Sequence, residues 1–202
     1  MKDQLELAVS QCIEAAGNEW QPTVQKMLLR AAQLGKSFLL NSFDPQIFVG
    51  MCQTLRILNA VRHYKIGLPL TYQQYQELTT TGVLNRLILR RQYNLAIEIC
   101  RHLKLPEAEG IHRIMTHWAC YKIKCGQLET EQLANEISTK LGPNSKVSFS
   151  NIALKAIECK QEKLAIRYTL AFDLKNFNSD FFFYTKKFNL NNNILGMQTF
   201  RF

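Results

Sequence analysis

Four histidine and cysteine side chains lie close together in the sequence and suggest a metal site: His112, His117, Cys120 and Cys125. Both residue types bind zinc when they converge on one point. On a helix, His117 and Cys120 share a face, but the five-residue steps from His112 to His117 and from Cys120 to Cys125 each turn by roughly 140°. No Cys-x-x-Cys pair accompanies them. The spacing favours packed side chains, and we expect neither a metal nor another cofactor.

The tripeptide Gly35-Lys36-Ser37 has the ending of a phosphate-binding loop. That loop requires a glycine five residues before Gly35, where this chain has Arg30, and it follows a strand. The residues before Gly35 have a helical pattern instead. We interpret the tripeptide as the end of a helix that contains a glycine.

Residues for nucleophilic or acid–base catalysis show no productive arrangement. The six cysteines mostly sit among apolar residues, where a free cysteine behaves as a small hydrophobic side chain in a reducing compartment. Aspartate and glutamate total 16 and are scattered, and no His-Glu-x-x-His occurs. The sequence predicts that the protein is not an enzyme and has no catalytic residues.

Positive charge is densest at Arg86, Arg90 and Arg91, the first two of which lie four residues apart on one helix face. The cluster is either a solvated face or a contact for an acidic partner or an anionic lipid. The formal net charge of +9 would attract nucleic acid, an anionic membrane or an acidic protein alike. Since basic and aromatic residues rarely interleave, we expect no nucleic-acid partner. A basic helical module that binds an anionic membrane or nucleic acid is kept as the alternative function.

These residues belong to a chain with a helical pattern. Hydrophobic residues make up 47% of it, and the stretches between its five prolines and nine glycines are rich in good helix formers. Helices are predicted at 5–16, 22–40, 45–64, 71–79, 83–91, 94–103, 106–124, 130–141, 148–157 and 161–171. Two apolar stripes are expected to pack against a neighbouring helix. The first comprises Val24, Met27, Leu28, Ala31, Leu34 and Phe38, and the second Phe48, Cys52, Leu55, Leu58 and Val61.

A short internal repeat indicates how the helices are arranged. Gln92, Leu95, Ala96 and Ile97 recur 69 residues later as Gln161, Leu164, Ala165 and Ile166. Two helix pairs of 34 or 35 residues fit this offset, although two unrelated amphipathic helices would also produce it. We therefore predict an all-α fold, an α-solenoid of stacked antiparallel helix pairs over residues 1–171, with Leu95 and Leu164 in its core.

The end of the chain, residues 172–202, has a different composition. It contains eight of the twelve phenylalanines, mixed with asparagine and without a helical period. We interpret it as an irregular C-terminal tail, disordered or non-native. Elsewhere, no uncharged apolar run approaches the roughly 20 residues of a membrane span, and the N-terminus lacks a signal-peptide pattern. A cytoplasmic protein with peripheral membrane association is expected.

Three idiosyncratic strings carry a resemblance to a known family. They are LRILNAVRHYKIGLPLTYQQY at 55–75, RLILRRQYNLAIEIC at 86–100 and HWACYKI at 117–123. With them, the chain resembles the C-terminal helical region of the vacuolar protein sorting subunit sixteen family, from about Gln11 to Ile166. Full-length members of that family also carry an N-terminal β-propeller, which we do not find here.

The resemblance implies a non-catalytic scaffold subunit of the HOPS and CORVET vesicle-tethering complexes. Its implied role is transport from endosomes to the lysosome or vacuole and membrane fusion, at late endosome and lysosome or vacuole membranes. The implied partners are the other class C tether subunits and a Sec1/Munc18-type subunit. The surface for that last partner is expected in a helical continuation that this chain lacks, so no partner-binding residue carries over to a position here.

Overall fold

The computed structural model describes residues 2–39, 43–126, 129–142 and 147–173. The described residues form helices and connecting turns, without a strand, which confirms the all-α prediction. Nine helices are present in these ranges: α1 Lys2–Asn18, α2 Pro22–Ser37, α3 Pro45–Arg62, α4 Tyr72–Leu89, α5 Tyr93–His102, α6 Ile111–Cys125, α7 Thr130–Leu141, α8 Phe149–Glu158 and α9 Glu162–Asp173. They belong to two compact units, residues 1–106 and 107–202. The predicted tail lies almost wholly outside the described residues.

The first unit is built around α1, which packs against α2, α3 and α4. Two of its helix starts follow from local chemistry. The carboxylate of Asp44 accepts a hydrogen bond from the backbone N–H of Gln46, with Pro45 at the first helical position of α3. Thr71 and Gln74 form a reciprocal capping box at the start of α4. Both caps satisfy N–H groups that would otherwise lack partners.

The two helices predicted at 71–79 and 83–91 appear as one element, α4, with a kink between them. The kink is at Thr79, whose φ of 61° and ψ of 168° are not helical. Beyond it, a Cβ atom at Gly82 would lie 2.6 Å from Cδ1 of Leu78, so glycine allows this close approach. The predicted break around 80–82 is thus confirmed as an interruption of the helical backbone, which falls at Thr79. The helix predicted from residue 106, however, begins at Ile111, after turns over residues 107–110.

The second unit contains α6 to α9. Helices α8 and α9 pack against each other, α6 contacts α7 and α8, and α7 contacts α9. Its core consists of aliphatic side chains that are fully buried: Ile114, Ile123, Leu133, Ile137, Ile152 and Leu164. Helix packing of this kind, pair on pair within each unit, agrees with the predicted α-solenoid.

The two corners within the internal repeat, which precede α5 and α9, have the same backbone conformation. Arg91 and Lys160 both adopt the left-handed conformation, with φ of 62° and 57°. Their N–H groups bond to Ile88 and Ile157 at 2.9 Å each, and the next N–H, of Gln92 or Gln161, reaches back five residues at 2.9 Å. This is a Schellman motif in both places. Burial differs, however: Leu164 is fully buried, whereas Leu95 is only half-buried.

The apolar stripe predicted on α2 is wrong as a buried face. Met27, Leu34 and Phe38 are 66, 64 and 66% exposed, while Gln25 and Ala32 are the buried residues of this helix. The reason lies in small residues on the neighbouring face of the helix. A Cβ atom at Gly35 would lie 2.5 Å from Cγ2 of Val9, so α1 and α2 approach closely there and the bulky side chains remain outside.

The stripe predicted on α3 is confirmed at three of its five positions. Leu55, Leu58 and Val61 are buried. Phe48 and Cys52, nearer the start of the helix, are half-buried. The α3 stripe thus faces the core of the first unit, mainly through its C-terminal half.

Candidate interaction surface

The histidines and cysteines of the suspected metal site all lie on α6, which does not bring them together. His112 Nε2 is 3.7 Å from a carboxylate oxygen of Glu107, and Cys120 donates a weak hydrogen bond to the Asn151 carbonyl at 3.7 Å. Burial raises the pKa of the Cys120 thiol and lowers the pKa of His117. Among the described residues, no group of three or more histidine, cysteine or acidic side chains is placed to hold a metal ion.

Each residue of Gly35-Lys36-Ser37 has a packing or capping contact. Gly35 allows the close approach of α1, and Lys36 Nζ lies 4.7 Å above the ring of Phe48. The Ser37 hydroxyl donates to the carbonyl of Leu34 at 2.6 Å. The tripeptide therefore ends a helix, as interpreted from the sequence.

Within the arginine cluster, Arg90 makes a contact that joins two parts of the first unit. Arg90 Nη1 donates to the carbonyls of Ile66 and Gly67 at 2.9 and 2.8 Å, which ties the end of α4 to the turn after α3. Arg86 and Arg91 are exposed, and Arg91 occupies the left-handed corner described above. Because the partners of Arg90 are neutral carbonyls, its positive charge is not cancelled.

A second polar cluster, which the sequence did not indicate, connects the α1–α2 turn to α3. Arg62 donates from Nε to the carbonyl of Leu70 at 2.8 Å, and its guanidinium carbon lies 4.2 Å from the ring centroid of Trp20. Burial lowers the pKa of Arg62. Beside it, the side-chain amides of Gln25 and Asn59 bond to each other in both directions, at 2.7 and 3.3 Å. The only signal in the sequence was a polar Gln25 on the same helix face as Ala32.

None of the helices in the described ranges is long and apolar enough to cross a membrane. Two exposed features of the first unit are the arginine cluster and the apolar side of α2. Neither forms an enclosed site with convergent titratable groups, as an active site requires.

A model of a protein family described as "Vps16, N-terminal region" matches residues 1–49. These residues contain α1, α2 and the beginning of α3. The resemblance to the family found in the sequence runs from about Gln11 to Ile166, and it overlaps this match from Gln11 to residue 49.

Several curated proteins are similar over most of this chain. The vacuolar protein sorting-associated protein 16 homologue of Dictyostelium discoideum is 42% identical over 167 residues, which are 83% of this chain and 19% of that protein. The homologue of Drosophila melanogaster is 40% identical over 168 residues, 82% of this chain and 19% of that protein. The Saccharomyces cerevisiae protein is 38% identical over 139 residues, which are 68% of this chain and 17% of that protein. The chain thus spans about a fifth of the length of these relatives.

Proposed function

Because the chain belongs to the vacuolar protein sorting 16 (Vps16) family, we propose that it is a non-catalytic helical scaffold within a vesicle-tethering complex of the HOPS or CORVET type. In this role it supports transport from endosomes to the lysosome or vacuole and membrane fusion. Its partners are the other class C tether subunits, and in longer family members also a Sec1/Munc18-type subunit. It acts from the cytoplasm, peripherally on late endosome and lysosome or vacuole membranes.

The observation that carries this proposal is the similarity to proteins named for vacuolar protein sorting over about four fifths of the chain. The architecture supports it physically. Stacked helix pairs present extended outer surfaces on which several partners can bind at once, and they do so without an enclosed pocket.

We further propose that Arg86, Arg90 and Arg91 contact an acidic partner or an anionic lipid. Arg86 and Arg91 are exposed, and the two carbonyl bonds of Arg90 hold its guanidinium in one place. A fixed cation loses less conformational entropy when it binds an anionic group than a freely rotating one does. The cluster is therefore suited to a defined contact.

Affinity purification tests the tethering proposal. A tagged form of the 202-residue chain, expressed in Drosophila cells, is expected to co-purify with tether subunits identified by mass spectrometry. A chain that ends at residue 171 is expected to recover the same proteins. A Leu164→Asp variant, which places a charge in the core of the second unit, serves as the unfolded control. If the folded wild-type chain recovers no tether subunit, the proposal is wrong for this segment.

The same preparation tests the alternative, a basic module for anionic membranes or nucleic acid, which is favoured only by the net charge of +9. Such a module would bind anionic vesicles or DNA more tightly than about 1 μM, and the affinity would fall steeply with added salt. Salt-sensitive binding without recovery of tether subunits would replace the scaffold proposal. Substitution of Arg86 alone or of Arg91 alone by glutamate, with Lys124→Glu on α6 as a control of equal charge change, would test whether the arginine cluster is responsible.

A further inference from the structure

The exposed side of α2 has the spacing of a coiled-coil seam. Val24, Met27, Ala31, Leu34 and Phe38 follow one another at intervals of three, four, three and four residues. These intervals correspond to alternating a and d positions of a heptad. The three large members from Met27 onward are about two-thirds exposed, and Ala31 between them is exposed as well. We call these five residues the α2 seam.

The size of the α2 seam suits a partner helix. From Met27 to Phe38 it extends about 17 Å along the helix axis, because each residue adds 1.5 Å. Its large side chains together expose about 400 Å², which is comparable to the largest apolar patch of a typical soluble monomer, and such patches are often functional. Within the chain, α2 packs on α1 through the neighbouring face, around Gly35 and Ala32.

The charged residues of α2 are all positive, and Arg30 is the one that lies beside the α2 seam. Helix α2 contains Lys26, Arg30 and Lys36 and no acidic residue. Arg30 falls at the heptad position g, which in coiled coils pairs with a charge on the partner helix, and its side chain is exposed. Lys36 is already placed over the ring of Phe48. The one acidic residue between 22 and 62, Asp44, caps α3.

We propose that the α2 seam binds an amphipathic helix of a partner protein, one with apolar residues at heptad spacing and with aspartate or glutamate along their flanks. A second copy of this chain fits less well, because a symmetric pairing would bring two Arg30 side chains to the same interface. A membrane surface also fits less well, since the seam spans about 80° of the helix surface, from Leu34 to Val24, and helices that bury a face extensively carry a stripe of more than about 100°. This inference uses only the spacing, exposure and charge of residues in and next to α2, so it does not depend on the tethering role.

Two synthetic helical peptides test the charge preference. Both have three heptads with leucine at a and d; one carries glutamate at every e and g position and the other carries lysine there. Like charges at these positions disfavour pairing of each peptide with itself. Fluorescence anisotropy with the 202-residue chain at low salt is expected to show binding of the glutamate peptide at least about tenfold more tightly than the lysine peptide. Equal affinity for the two peptides, or no saturable binding of the glutamate peptide, would overturn the proposal.

Variants then locate the site. Replacing Leu34 and Phe38 by serine is expected to weaken binding of the glutamate peptide by at least about tenfold, since large apolar anchors dominate such interfaces. Arg30→Glu is expected to abolish the preference between the peptides. Leu7→Ser, at a 59% exposed leucine of α1, and Lys124→Glu on α6 are the matched controls and should leave both affinities unchanged. Circular dichroism confirms that each variant is folded, and an equal loss in the controls would count against the α2 seam.

Two further measurements identify a different occupant. Sedimentation equilibrium would show a wild-type dimer that dissociates in the Leu34→Ser, Phe38→Ser variant if the seam pairs with a second copy. Flotation with vesicles that contain phosphatidylserine would depend on the same two residues if the seam lies on a membrane. Either result, without binding of the glutamate peptide, overturns the proposal.

Discussion

Truncation of the two equivalent leucines of the internal repeat should have unequal effects. Leu164 is fully buried in the second unit, whereas Leu95 is half-buried in the first. Removal of three carbons from a fully buried leucine creates a cavity and costs about 3 kcal/mol of unfolding free energy. The side chain of Leu95 is already partly exposed in the folded chain, so its truncation loses less buried surface and leaves a smaller cavity. We expect about 3 kcal/mol for Leu164→Ala and about 1 kcal/mol for Leu95→Ala.

The chain contains two tryptophans, one in each unit, so each substitution can be followed separately. Trp118 is buried in the second unit and reports Leu164→Ala in a Trp20→Phe background. Trp20 reports Leu95→Ala in a Trp118→Phe background. With a urea m-value of about 1.5 kcal/mol/M, the loss at Leu164 corresponds to a midpoint lowered by about 2 M.

The comparison is made between each variant and its own background. The reasoning is refuted if Leu95→Ala costs as much as Leu164→Ala, because burial would then not control the loss. It is also refuted if Leu164→Ala costs less than about 1 kcal/mol, a value typical of a poorly packed site.

Two other substitutions test close contacts in each unit. Gly35→Ala should lower the unfolding free energy by about 1 to 2 kcal/mol, because the new Cβ atom would lie 2.5 Å from Cγ2 of Val9. In the double variant, Val9→Ala should restore part of that loss. If the losses of the two single variants add in the double variant, this clash is excluded. Burial raises the pKa of Tyr168 to about 12. As the pH rises, the tyrosine hydroxyl therefore ionises in the unfolded chain before it ionises in the folded one. The free energy of unfolding, which is at its full value below pH 10, should fall by about 1 kcal/mol between pH 9 and 11. Tyr168→Phe should flatten that decrease in urea titrations, and an unchanged pH dependence would contradict it.

Helix positions were predictable where the chain itself marks them. Asp44 with Pro45, and Thr71 with Gln74, are caps whose partners lie within three residues, so local sequence suffices. The interruption of α4 was predicted from Thr80, Thr81 and Gly82, but the backbone conformation at Thr79 was not, because it carries no local signal and requires the surrounding packing.

The face that a helix buries was less predictable than the helix itself. On α2 the apolar period correctly indicates a stripe, but α1 packs on the side where Gly35 and Ala32 allow the closer approach. A periodic pattern records where apolar side chains lie and not which neighbour covers them. The contact of Arg90 with the carbonyls of Ile66 and Gly67 was hidden for a related reason, since it joins residues more than 20 positions apart.

The left-handed corners affect how this chain tolerates mutation. Arg91, Lys104 and Lys160 are exposed basic residues, and each has a positive φ, of 62, 52 and 57°. In a substitution scan such surface positions normally accept almost any residue. Here valine and isoleucine are expected to be destabilising, because the branched Cβ conflicts with the backbone, while glycine and asparagine are expected to be accepted. These three exposed positions are thus as restricted in the residues that they accept as buried positions are. The restriction comes from the backbone conformation and not from the charge of the side chain.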